Sequence, residues 1–134
     1  FYLPENPIIF KAHSSLVSSI SWFDDDTGFV SSGIDANIFV WHLKNENHTP
    51  SWEYKMKSVT FSCVATYKPE GSNKPLIYTT GSDKTIRELC EGAPGQGKET
   101  LRYEQSVVLS QIAVMHNRKA FFCGLSEQNK PGAI

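Results

Sequence analysis

VSSGIDANIFVW, residues 30–41, decides how this chain is read. A short run of Val30, Ser31 and Ser32 ends at Gly33. A short turn follows at Asp35-Ala36-Asn37, and an apolar run leads out to Trp41. A short run of this kind bounded by turn residues reads as a strand, and Asp and Asn bond their own backbone in turns. The stretch therefore predicts strand, tight turn, strand. YTTGSDKTIREL, residues 78–89, repeats it in register: Gly33 matches Gly81, Asp35 matches Asp83, Ile38 matches Ile86, and Leu89 stands where Trp41 does. FFCGLSEQNKPGAI, residues 121–134, is a third copy with a longer turn, in which Gly124 aligns and Ile134 matches Ile38. The three glycines lie 48 and 43 residues apart. A period of this length with several short strands per unit indicates a β-propeller blade.

The flanks agree. LVSSISW (16–22) reads as the strand before the first copy, DDDTG (24–28) as its turn, and WEYK (52–55) as a fourth strand. Trp22, Tyr67 and Val114 are expected in equivalent places, and VVLSQIAVM (107–115) is read as a strand because of its β-branched residues. The fold class is thus all-β: a partial propeller of about three blades of four-stranded antiparallel sheet, the last incomplete. The blades are expected at about 1–51, 52–100 and 101–134, within one segment of a larger chain. Two or three blades close no ring, and open strand edges invite pairing. The remainder is expected from a larger propeller or from a second chain.

The first copy resembles the WD-repeat family. KAHSSLVSSISW resembles the family's Gly-His opening, with Ala12 for Gly, and GIDANIFVWHL resembles its closing segment, with His42 where the Trp-Asp pair has Asp. The resemblance implies a buried hydrogen-bonded tetrad of His13, Ser31, Asp35 and Trp41. In the second copy it implies a degraded set: Thr79 and Asp83 remain, Ser58 sits near the expected His, and Leu89 replaces Trp. The third copy has lost the Asp. The features IIFKAH, SWF, LSQIAV and AFFCGLS are similar to those of ciliary and flagellar WD-repeat proteins. That likeness implies a scaffold linked to dynein-arm anchoring or regulation, with axonemal dynein-regulatory or microtubule-doublet partners, in the cytoplasm and the axoneme.

The net charge is −1 with 20% charged residues, so no global basic field draws nucleic acid or anionic lipid. No apolar run has the length of a membrane span. Cys63, Cys90 and Cys123 are widely spaced and odd in number, which argues against a disulfide framework and for a reducing compartment. Cys63 and Cys123 are expected to be buried, Cys90 exposed. Neither nucleic acid, membrane, cofactor nor metal is expected.

Several stretches carry chemical letters. His13, Ser31 and Asp35 are the residue types of a hydrolase triad, but Ser31 falls within a strand rather than on an exposed elbow. Asp24-Asp25-Asp26 lacks the alternating spacing of a calcium loop. His42, His48 and His116 have no second ligand at metal-site spacing. Lys55, Lys57, Lys68, Lys74, Lys84 and Arg87 give the middle of the chain a basic bias, read as ordinary surface. GAPGQGKET (92–100) approaches a phosphate loop, but Glu99 stands where Ser or Thr is needed. It reads better as a turn between strands.

The function expected is therefore a non-catalytic interaction scaffold, presenting loops 44–51, 69–75, 91–100 and 125–132 to protein partners. The alternatives are a nucleotide-binding enzyme using 92–98 and a peptide-binding WD40 adaptor outside cilia.

Overall fold

The structure, a computed structural model, describes residues 7–114 and 120–124. Ile134, His116 and the 125–132 loop lie outside them. All the described regular structure is strand: β1 (Val17–Trp22), β2 (Gly28–Gly33), β3 (Asn37–His42), β4 (Trp52–Lys55), β5 (Phe61–Tyr67), β6 (Leu76–Gly81), β7 (Thr85–Glu91), β8 (Gly97–Glu104), β9 (Leu109–Val114) and β10 (Ala120–Gly124). They form two four-stranded antiparallel sheets, β1-β2-β3-β4 and β5-β6-β7-β8, and a two-stranded pair, β9-β10.

The turns are made by the residues the repeat singles out. Asp35 Oδ1 accepts from the Asn37 amide at 3.2 Å, and Asp83 Oδ1 accepts from the Thr85 amide at 3.3 Å. Each turn places its next residue, Ala36 or Lys84, at positive φ, 67° and 62°. In the acidic run, Asp25 takes the Thr27 amide and hydroxyl and pairs with Lys68 Nζ of the second sheet at 2.7 Å.

Three boundaries differ from expectation. Trp52–Lys55 pairs with β3, so a division at 51/52 cuts through the first sheet, and β8 carries the second sheet to Glu104. The Lys55 and Glu104 ends follow from main-chain pairing, which composition does not reveal. The counterpart of Trp22 is Thr66, since Trp22 pairs with Phe29 and Thr66 with Ile77. The expected 91–100 loop shrinks to 92–96, because Lys98 and Glu99 already pair with Cys90 and Leu89.

The two sheets stack face to face. Phe23, Val30, Ile38, Val40 and Trp52 of the first unit pack against Val59, Phe61, Val64, Ile77 and Leu89 of the second. Full burial of side chains of this size stabilises by roughly 1.5–3 kcal/mol each. The first sheet's opposite face buries Phe29, Phe39 and Trp41 beneath Phe10 and Ala12 of the N-terminal segment.

Candidate functional site

The polar residues that the repeat brings together lie where each sheet's second and third strands meet the turn between them. In the first sheet they form one hydrogen-bonded chain. The Trp41 indole N–H donates to Ser31 Oγ at 2.9 Å. Ser31 Oγ lies 2.8 Å from His13 Nε2, and His13 Nδ1 lies 3.1 Å from both Asp35 oxygens. A carboxylate only accepts, so Nδ1 carries a proton towards Asp35. The Ser14 amide adds a bond to Asp35 Oδ2 at 2.9 Å. Burial pushes the Asp35 carboxyl up, but Ser14, His13 and Asn37 together outweigh it and hold the group below its usual range. The His13 and Asp35 side chains are 6% and 3% exposed. Gly33 lies directly beneath: a Cβ there would come within 2.5 Å of Asp35 Oδ1 and 2.6 Å of His13 Nδ1. The repeated glycine is therefore required by close approach.

The connectivity Asp35–His13–Ser31 is that of a hydrolytic triad, but the surroundings are not. Ser31 is 3% exposed at the centre of β2, and its oxygen already accepts the indole proton. A nucleophile needs open space for a carbonyl and donors for the oxyanion, and this one is roofed by Trp41 and Phe39.

In the second sheet the corresponding residues do something different. Thr79, aligned with Ser31, donates its hydroxyl to the Cys63 carbonyl at 3.0 Å rather than joining Asp83. Asp83 is held instead by Arg87, through Nη1 at 3.2 Å and a shorter contact from Nη2. Arg87 stands at the position of Phe39, since Thr79 pairs with Arg87 as Ser31 pairs with Phe39. It is 1% exposed, so it does not belong to the basic surface expected from sequence. Its Nε lies 3.4 Å from Glu99 Oε2, and Glu99 accepts from Arg102 Nε at 2.6 Å and from the Tyr54 hydroxyl of the first sheet at 3.2 Å. Burial pushes the Asp83 carboxyl up, but the Arg87 bond and charge win and hold it below its usual range. Glu99 is lowered chiefly by Arg102. Arg87 and Glu99 were not legible as site residues: an Arg in a strand pattern reads as an outward-facing position.

The glycine-rich stretch serves the same seam. Residues 92–96 turn between β7 and β8, and a strand rather than the helix of a phosphate loop follows. A Cβ on Gly97 would lie 2.4 Å from the Trp52 ring, and the Glu53 amide donates to the Gly95 carbonyl at 3.1 Å. On the Gly97 side of the turn the room is taken by Trp52 of the neighbouring sheet.

Elsewhere, a hollow of about 410 Å³ crosses the inner strands β1, β5 and β9, lined by Ser19, Ser21, Asp24, Cys63 and Gln111 among others. It brings together no acid–base pair. Cys63 is buried and Cys90 half-buried. Among the described residues, no group of three or more His, Cys, Asp or Glu is placed to hold a metal ion.

The family model for the WD domain, G-beta repeat, matches residues 5–42. This is the copy that carries His13, Ser31, Asp35 and Trp41. The chain is 28% identical over 122 residues to Cilia- and flagella-associated protein 57 of Mus musculus, covering 91% of this chain and 9% of that protein. It is 27% identical over 143 residues to Cilia- and flagella-associated protein 57 C of Tetrahymena thermophila, covering 100% of this chain and 11% of the relative. A second Tetrahymena protein, 57 A, is 23% identical over 165 residues, 12% of its length. The chain thus spans about a tenth of the relatives it matches.

Proposed function

We propose that this chain is a propeller segment acting as a non-catalytic protein-interaction scaffold in a ciliary or flagellar axoneme, with a role in dynein-arm anchoring or regulation. One observation supports it above the others: the residues that carry chemical letters are spent on holding sheets together. Asp35, His13 and Ser31 are sealed beneath aromatic rings, Asp83 is committed to Arg87, and the glycine-rich turn is seated on Trp52. What remains for partners is the rim of turns, 44–51, 69–75 and 92–96, carried on a rigid frame. The ciliary assignment rests on the names of the relatives.

In this reading His13, Ser31, Asp35 and Trp41 form a structural tetrad, and Asp83 with Arg87 takes its place in the second sheet. The test is fractionation of ciliated cells expressing the tagged protein. Retention on detergent-extracted axonemes, lost in a strain lacking the anchored dynein arms' docking site, supports the reading. A wholly detergent-soluble protein contradicts it. Titration with ATP and magnesium is expected to give no saturable binding, and micromolar binding lost in Lys98→Ala would revive the nucleotide reading.

A further inference from the structure

The seam between the two four-stranded sheets holds one hydroxyl between two acceptors. The Tyr54 hydroxyl of β4 lies 3.2 Å from Glu99 Oε2 of β8 and 3.3 Å from Met56 Sδ, two residues on. A phenol carries one proton, so the acceptors compete for it. Burial, with the Glu99 charge behind it, holds the Tyr54 hydroxyl above its ordinary pKa, so it stays a donor. A carboxylate accepts strongly and a thioether weakly. With Met56 in its ordinary form the proton therefore belongs to Glu99.

That bond is part of what joins the sheets. Glu99 also faces the buried Arg87 at 3.4 Å and takes Arg102 at 2.6 Å. The Tyr54 ring packs on Phe61 of the second sheet, with centroids 6.5 Å apart. One residue earlier, the Glu53 amide donates to the Gly95 carbonyl at 3.1 Å, which ties β4 to the 92–96 turn. Met56 is held in place beside them. Its amide donates to the Ala36 carbonyl at 2.9 Å, and its side chain packs against the core shared by the sheets. It is only half-buried, within reach of a small oxidant.

We propose that Met56 is an oxidation-sensitive latch on this seam, acted on by hydrogen peroxide. The sulfur loses two electrons and gains one oxygen atom as the O–O bond breaks, and the rest of the peroxide leaves as water. The product, a sulfoxide, is polar where the thioether was apolar. Its oxygen takes the Tyr54 proton from Glu99 and sets a polar group against the apolar core. β4 then loosens from β8 and from the 92–96 turn. Sulfoxide reductases, which return the thioether, close the latch.

Peptide-level mass spectrometry and hydrogen exchange on the folded protein test it. Hydrogen peroxide is applied and quenched, and excess thiol then returns reversibly oxidised cysteines to the reduced state. The wild type is expected to gain one oxygen at Met56 while folded, and amide exchange is expected to quicken across 52–56 and 92–104. Treatment with the two methionine sulfoxide reductases is expected to restore the original exchange. Met56→Leu, treated alike, is expected to keep it throughout, which excludes a contribution from Met115, the second methionine of the sequence. In Tyr54→Phe there is no proton to divert, so oxidation is expected to quicken exchange less than in the wild type. Met56 left unoxidised by a peroxide dose that oxidises a free methionine peptide overturns the proposal, as does oxidation with exchange unchanged. A rise in Tyr54→Phe equal to that of the wild type overturns it too, because the sulfoxide would then act as a simple packing lesion.

Discussion

Two sheets of one repeat solve the same problem with different chemistry. Each must anchor an aspartate at the tight turn between its second and third strands. The first does so with neutral donors: an imidazole, two amides and, one bond further on, a hydroxyl and an indole. The second has no imidazole and no indole. It brings a guanidinium up from the next strand, buries it, and ties it on to Glu99 and Tyr54 across the seam. In these two sheets the aspartate and the glycine beneath it are kept, and the donors are interchangeable. Interchange has a consequence. Losing the aspartate leaves unsatisfied polar donors in the first sheet, whereas in the second it leaves a buried cation short of a partner.

That difference is open to attack. The largest effect is expected for Asp83→Ala, which leaves Arg87, 1% exposed, with only Glu99 as a charge partner. Chemical unfolding should show a loss of about 3 kcal/mol, the low end for removing one partner of a buried pair, because the Asp83 side chain is 32% exposed and Glu99 remains beside Arg87. Asp35→Ala, its counterpart in the neutral network, should lose less, about 1–3 kcal/mol. Equal losses would erase the distinction between the sheets.

Acid probes both aspartates together. Their folded carboxyls are held below the ordinary value, so the stability they contribute is present above about pH 4 and is lost as pH falls through the folded value. Thermal melts between pH 7 and pH 2 should show a falling Tm below about pH 4, with a shallower fall in Asp35→Asn and Asp83→Asn. A flat profile would mean neither carboxylate is stabilised by its donors.

The smallest effect is one on which the two sheets should agree. Ala36 and Lys84 sit at the same left-handed position, which costs an L side chain about 1–2 kcal/mol, partly offset by the entropy glycine loses on folding. Ala36→Gly and Lys84→Gly should each raise stability by up to about 1 kcal/mol. A gain in only one would show that the turns are not equivalent.

Much of this was legible in the residues. The matched hydroxyl residues before Gly33 and Gly81 and the matched turn aspartates placed β2, β3, β6 and β7, because repeated letters and turn chemistry are written in neighbouring positions. Trp52–Lys55 was recognisable as a strand, but its membership of the first sheet was not, since pairing to β3 is a long-range contact. His13 lies 22 residues from Asp35 yet was found, because the first copy keeps the motif. Arg87 was missed. Its burial depends on Asp83 from a turn and Glu99 and Tyr54 from two strands converging, and no single window of sequence contains them. The glycine-rich turn misled for a related reason: Gly97 is small to admit Trp52, a residue 45 positions earlier, and a ring and a phosphate make the same demand for a missing Cβ.

The double variant Asp83→Ala/Arg87→Met tests most directly whether the second sheet's charged pair stands in for the first sheet's tetrad. With the guanidinium replaced by an apolar side chain of similar length, nothing is left stranded when the aspartate is gone. Equilibrium unfolding should place the double variant above Asp83→Ala alone, recovering most of that loss, with a coupling of about 1–3 kcal/mol. Losses that simply add would contradict the account, showing that Asp83 and Arg87 act independently.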